Sequence, residues 1–350
     1  MSARNKLYIT AAALLLLAVG ILLRPSTEHP TAAATVPAER SRSINRETNP
    51  PTPPPTPRRA KDFQTTLMKL ATESERKLTH QEIDNYVEAQ NRSMDSLLSA
   101  FRLSGDEAYL KEALEKFPNN PQVLFCALQL SSDPAKRLEM LESFKRADPG
   151  NGIGNCLAAG ALFDLGKNDE AFAELLRSSG KPITDFTITF YHNDEEAYLT
   201  AGFSPVLAKM TTLYTSSKGG FMQMRGITKK LDELRGNYAS TGDDAAVQSV
   251  RDIQSEMGGH LQEDPTVVGK LVGIAVEKGA LKGLDTPEAR ARWEELDQRQ
   301  KSLSEKALKI PTLMENPAVP ESDWVLYFDR AKLFGENAAN DWILGKYPDL

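Results

Sequence analysis

Five prolines, at 121, 134, 205, 265 and 287, stand where helices would start. Proline's fixed φ and missing N–H suit the first turn of a helix and keep it out of central strands. Apolar residues around them recur at three- and four-residue spacing, as in DEAYLKEALEKF at 106–117, which stops at Pro118-Asn119-Asn120. Thr79-x-x-Glu82 is a capping box ahead of HQEIDNYVEAQ. Further helices are predicted at 121–130, 134–147, 151–165, 168–178, 194–201, 205–217, 221–240, 243–261, 265–280, 287–310, 322–335 and 337–346, joined by short turns. The one candidate strand is TDFTITFY at 184–191. Residues 61–350 therefore read as an all-α domain.

The segment ahead of it has a different composition. After a short head, 1–6, the run LYITAAALLLLAVGILL at 7–23 holds seventeen residues without a charge, enough for a short transmembrane helix. It meets Arg24-Pro25 where a signal peptidase would need small residues, and the first small tract, 32–34, comes later. A signal anchor is thus preferred to a cleaved, secreted form. Arg4 and Lys6 precede the run, which favours an extracytoplasmic bulk on the periplasmic side. Residues 24–60 include nine of the 21 prolines, with NPPTPPPTP at 49–57, and no aromatic residue. That composition buries too little apolar surface to offset ordering, so it reads as a disordered linker or stalk; a ligand for an aromatic groove is the alternative.

Charge divides the chain the same way. Residues 1–61 carry nine Lys/Arg against three acids, and the whole chain is at −6, so 62–350 carry −12. Nucleic acid is a poor partner for so acidic a domain.

The helices have a longer period. KFPNNP at 116–121 and RADPGN at 146–151 put Pro118 and Pro149 thirty-one residues apart, each opening a pair of helices. In the second pair, Gly166 falls in the turn, Ala171 follows five residues on, and Pro182 ends the unit. LRGNYASTGDDAAV at 234–247 carries a similar Tyr-x-x-x-Gly turn. These features resemble the tetratricopeptide repeat, over about 105–182 and more loosely 221–261. Asn155, Cys156 and Ala158 stand where that repeat has a large aromatic, so the array is degenerate. The resemblance implies an α-solenoid whose small residues, Ala158 to Ala161, let helices approach closely. The whole chain also resembles uncharacterised membrane-anchored helical proteins of bacteria, a likeness that carries no activity.

Motifs for phosphate, dinucleotide, zinc-protease or nucleophile-elbow chemistry are missing. The one cluster is His192-Asn193-Asp194-Glu195-Glu196, which an envelope enzyme or processing accessory would use as a base with carboxylates. The structural reading is preferred: Asn193 caps a helix and the acids fill its first turn. No cofactor or metal is assigned and the chain is read as a non-enzyme. Cys126 and Cys156 occupy the first helices of successive units, where they are either bridged or two small buried side chains. Ala289, Trp293, Leu296, Gln300, Leu303, Ala307 and Ile310 alternate at four and three, a coiled-coil spacing that a helix packed across the array also explains.

The expected function is a membrane-tethered scaffold for a protein partner. In repeats of this kind, the resemblance implies, the first helix of each pair lines the concave face. The two best first helices, 121–130 and 151–165, contain no Lys or Arg, so a neutral or basic segment is expected there rather than an acidic tail. Gln122, Gln129, Asn155 and Phe163 are the candidate groove residues.

Overall fold

The computed structural model describes residues 77–350 apart from 216–218. The head 1–6, the apolar run 7–23, the proline-rich 24–60 and the first sixteen residues of the expected helical domain lie outside the described residues. Among the described residues every regular element is helical, and no helix is long and apolar enough to cross a membrane.

The helices are α1 (His80–Ala89), α2 (Met94–Ser104), α3 (Glu107–Lys116), α4 (Pro121–Ala127), α5 (Pro134–Ala147), α6 (Ile153–Asp164), α7 (Asn168–Ser178), α8 (Thr187–Thr200), α9 (Pro205–Thr215), α10 (Gly219–Thr241), α11 (Asp244–Gln262), α12 (Val267–Leu281), α13 (Pro287–Met314), α14 (Glu321–Phe334) and α15 (Glu336–Lys346). Local chemistry sets most starts. Thr79 and Glu82 form the reciprocal capping box of α1, and Ser93, Asp106, Asn120, Asp133, Asp243, Thr266 and Thr286 each accept a first-turn N–H. Pro121, Pro134 and Pro287 occupy the first turn of their helices, whereas Pro265 precedes the cap of α12.

Three inter-helix turns are built alike. After α6, α8 and α10 the chain turns at Gly166, Gly202 and Gly242, each with φ between +72° and +84°. The next residue's N–H returns to a carbonyl five positions back: Lys167 to Leu162, Phe203 to Tyr198, Asp243 to Tyr238. This is the Schellman closure, which satisfies orphan carbonyls and needs a residue free of a Cβ at the left-handed position. Helix pairs α4–α5, α6–α7 and α8–α9 follow Pro118, Pro149 and Pro182 in turn.

Three expectations are corrected. The segment 184–191 is not a strand: Thr187 opens α8, because Thr187, Phe190 and Tyr191 fall on a buried face at helical spacing. The helix expected from 121 to 130 is α4 followed by one 3₁₀ turn, Leu128–Leu130. α13 does not stop at Ile310 but runs through Pro311 to Met314, and the buried Leu313 and Met314 explain why one more turn is held despite the lost hydrogen bond.

Successive helices pack on one another from α1 to α7, and α10–α11–α12–α13 likewise. The path also closes on itself. α8 packs back on α1 and α2, α10 on α6, α14 on α9, and α15 on α13. Two large cores result. One joins α1–α4 with α8, α9, the end of α13, α14 and α15. The other joins α4–α7 with α10, α11 and α12. Phe125, Phe144, Phe186 and Phe190 link them through ring contacts of 5.3–6.3 Å. Much of the stripe on α13 is covered by the chain itself: Leu296, Leu303 and Ala307 share a core with Val267, Leu271 and Ile274 of α12, while Trp293 is 41% exposed. Its polar break, Gln300, accepts a hydrogen bond from Lys278 Nζ at 2.9 Å.

Candidate functional site

The acidic run of the sequence lies on α8, but not at its start. Asn193 is in mid-helix and buried, so it cannot be the cap; Asp185 serves at that end, accepting the Thr187 N–H at 3.0 Å and its hydroxyl at 2.7 Å. The helix extends seven residues earlier than 194, since burying Phe190 and Tyr191 outweighs the weak helical preference of Thr187 and Thr189.

Successive residues of a helix point about 100° apart, and here each acid finds its own partner. Asn193 Nδ2 donates to Asp95 at 2.9 Å, and its carbonyl accepts the Tyr86 hydroxyl at 3.2 Å. Asp194, only 2% exposed, takes Arg102 Nη2 at 2.5 Å and Nε at 3.3 Å. That guanidinium lies 4.0 Å from the Phe190 ring centroid and donates to Ser99. Burial opposes both charges and pushes the Asp194 carboxyl above its ordinary range, while Asp194 holds the Arg102 guanidinium above its own. Glu195 bridges two ammonium groups, Lys209 at 2.8 Å and Lys332 at 2.6 Å, while Asp329 also holds Lys209. His192 faces outward with Glu196, 3.8 Å away. The cluster that a local motif suggested is therefore split among three directions.

A cleft of about 340 Å³ opens beside Glu195, lined by Tyr191, Lys209, Phe328, Lys332 and Glu336. Behind it lies a second group of buried polar side chains at the junction of three loops. Asp264 accepts the Thr266 N–H at 2.7 Å and its hydroxyl at 2.6 Å, and Glu336 accepts the Val267 N–H at 2.7 Å. The Tyr191 hydroxyl is buried and has no hydrogen-bond partner. Burial pushes the Asp264 carboxyl up to about 6, with Asp185 and Glu336 adding like charge. Among the described residues no group of three or more His, Cys, Asp or Glu is placed to hold a metal ion.

The Asp264 environment gives a pH dependence. The folded chain holds this proton more tightly than an unfolded one, whose Asp titrates near 3.9. Stability from this group is full below about 4 and falls as pH rises through 6, by up to roughly 3 kcal/mol. Asp264→Asn keeps the acceptor to Thr266 and removes the charge. The variant is expected to be more stable than the parent at pH 7.5 and near parity at pH 4, in denaturant melts at both values. Equal offsets at the two pH values would show that Asp264 does not titrate in this way.

The four candidate groove residues are not brought together on one surface. Gln129 is exposed and Gln122 half-buried on α4 and its 3₁₀ extension. Asn155 and Phe163 are both 5% exposed. Asn155 is tied to Glu174 at 2.8 Å and Lys181 at 3.3 Å, and Phe163 packs into the second core. A partner's side chain has access to Gln129 and to part of Gln122, whose amide oxygen is buried, and not to the other two. Cys126 and Cys156 are free thiols, both buried, which pushes them up to about 11 and about 12. His80 opens α1 behind the Thr79 cap, and His260 lies in the last turn of α11, 3.8 Å from Glu256.

Comparison with protein-family models, with curated proteins and with solved structures finds no match to this chain. Its reading rests on its own residues. Arg102, Lys209, Lys332, Asp264 and Glu336 had no local signal: three lie within helices, Asp264 is in the turn between α11 and α12 and Glu336 opens α15, and partners lie up to 137 residues away.

Proposed function

We propose that the protein is a membrane-tethered helical-repeat scaffold that binds a protein partner, anchored through 7–23 with its helical domain on the periplasmic side. The observation that carries this reading is the recurrence of helix pairs after Pro118, Pro149 and Pro182, two of them turned by the same glycine closure. Repeated pairs build extended surfaces suited to holding another chain. The buried charges fit the same view: Asn193 and Asp194 hold α8 to α2 and Glu195 holds it to α9, which is a positioning role. The −12 balance of 62–350 and the absence of Lys and Arg from 121–130 favour a neutral or basic segment of the partner. Of the candidate groove, Gln122 and Gln129 are the residues open to it.

Full-length protein is expected in the membrane pellet after carbonate washing, and protein lacking 7–23 in the supernatant. Capture from solubilised membranes, with partners identified by mass spectrometry, should lose the same protein when Gln122 and Gln129 are both changed to Lys. Recovery of the intact protein in the carbonate supernatant would refute the anchor. An unchanged capture profile in the double variant would refute the surface.

A further inference from the structure

No large apolar side chain among the described residues is more exposed than Leu333, at 74%, and Phe334, at 66%. They end α14, two turns beyond Leu326, itself 50% exposed. The face they belong to alternates rings with cations. The Arg330 guanidinium lies 5.6 Å from the Phe334 ring centroid and 5.1 Å from that of Trp342. The Lys346 ammonium lies 5.5 Å from Trp342 and 5.8 Å from Tyr347. Phe334, Arg330, Trp342, Lys346 and Tyr347 therefore follow one another across α14 and α15. Asp323 fixes the far end, pairing with Lys346 at 2.6 Å and accepting the Tyr347 hydroxyl. Aromatic faces of this kind suit proline-rich segments, whose extended helix loses little freedom on docking.

We propose that this face docks the chain's own proline tract, NPPTPPPTP at 49–57. Three observations select that occupant. The first is charge: 1–61 carry +6 against −12 for 62–350, which draws the tail to the domain and works against an anionic bilayer. Arg58 and Arg59 directly follow the tract, and the exposed Asp349 lies two residues beyond Tyr347, whereas Asp341 is paired with Lys306 at 2.6 Å. The second is position. Leu78, at the start of the described chain, is buried in the same core as Trp324, Phe328 and Ile343, against which Trp342 and Tyr347 pack. The third is reach. The twenty-one residues from Pro57 to Leu78 extend to about 70 Å, and a domain of this size has a radius of gyration of roughly 19 Å. A tethered ligand also acts at an effective concentration in the millimolar range, so a weak contact is enough to fill the site.

The test is amide hydrogen exchange on full-length protein in detergent micelles, compared with a variant carrying serine in place of Pro50, Pro51, Pro53, Pro54, Pro55 and Pro57. Exchange at 330–347 is expected to be at least threefold faster in the serine variant and unchanged in α6 and α12. A synthetic peptide covering 46–61, added at millimolar concentration, should restore slow exchange in that variant. The surface double variant Leu333→Ser with Phe334→Ser should abolish both effects. Identical exchange in parent and serine variant would overturn the proposal. So would protection that follows protein concentration, which assigns the face to a second copy, or protection that appears only with anionic vesicles, which assigns it to lipid. None of these outcomes bears on the membrane anchor or on Gln122 and Gln129, so the two readings fail separately.

Discussion

Gly273→Ala is expected to cost about 3 kcal/mol or more, at or beyond the upper end for overpacking a filled interior, and to lower Tm by roughly 6–12 °C for a chain of this size. α11 and α12 form the most extensive helix pair, and they meet through glycine. A Cβ on Gly273 would lie 2.6 Å from the Gln262 nitrogen and 2.7 Å from the Gly258 carbonyl oxygen. A Cβ on Gly258 would lie 2.7 Å from the Glu277 nitrogen and Cβ. These neighbours are largely backbone, so relief requires moving a whole helix, and with it the ties from Gln262 to Glu277 and from Arg292 to Glu277. Gly259, next in the same helix, has nothing within 4 Å of a Cβ. Gly259→Ala should therefore gain up to about 1 kcal/mol, the usual benefit of alanine over glycine in a helix. Thermal melts of the two single variants check the pair. A Gly273→Ala protein melting within 2 °C of the parent would mean the helices are not in backbone contact.

The second large effect concerns the ion pair of α2 and α8. Asp194→Ala leaves the Arg102 guanidinium buried, with one nitrogen already lacking a partner, and should destabilise by about 3–5 kcal/mol. Replacing both ends, Arg102→Met with Asp194→Leu, removes the uncompensated charge and should recover most of that loss. Urea midpoints for the parent, the single variant and the double variant decide it. A double variant no better than Asp194→Ala would show that the pair fixes the α2–α8 geometry beyond its charge balance.

Helix boundaries were most legible where a side chain caps or a proline starts the helix, as at α5, whose residues 134–147 agree at both ends; α7, at 168–178, agrees as well with acids in its first turn and no side-chain cap. They failed where tertiary burial decides. TDFTITFY alternates like a strand, yet the consecutive Phe190 and Tyr191 are both buried, which a helix packed on two sides allows. Asn193 is a good capping residue by type, but its amide is committed to Asp95, ninety-eight positions earlier. Pro311 reads as a stop, and the core under Leu313 and Met314 overrides it. The polar junctions were illegible for a related reason. Glu195 meets Lys332 across 137 residues, and nothing in either neighbourhood distinguishes these two from solvated charges. The groove expectation erred in the opposite direction: α6 is apolar all round, which marks a central helix better than a lining one, so Asn155 and Phe163 are inside.

The return of α8 onto α1 and α2 has a mechanical consequence. In an open stack, a pull on the first helix peels it away, and each unit then follows at low force. Here tension arriving at Leu78 meets α1 already held by Tyr86, whose hydroxyl is bonded to the Asn193 carbonyl in the middle of α8, while Arg102 clamps α2 to the same helix. α8 in turn is locked to α14 through Glu195 and Lys332. Load entering at the amino-terminal end is thus shared in shear by three elements at once, and the domain resists extension as a block instead of unzipping from that end.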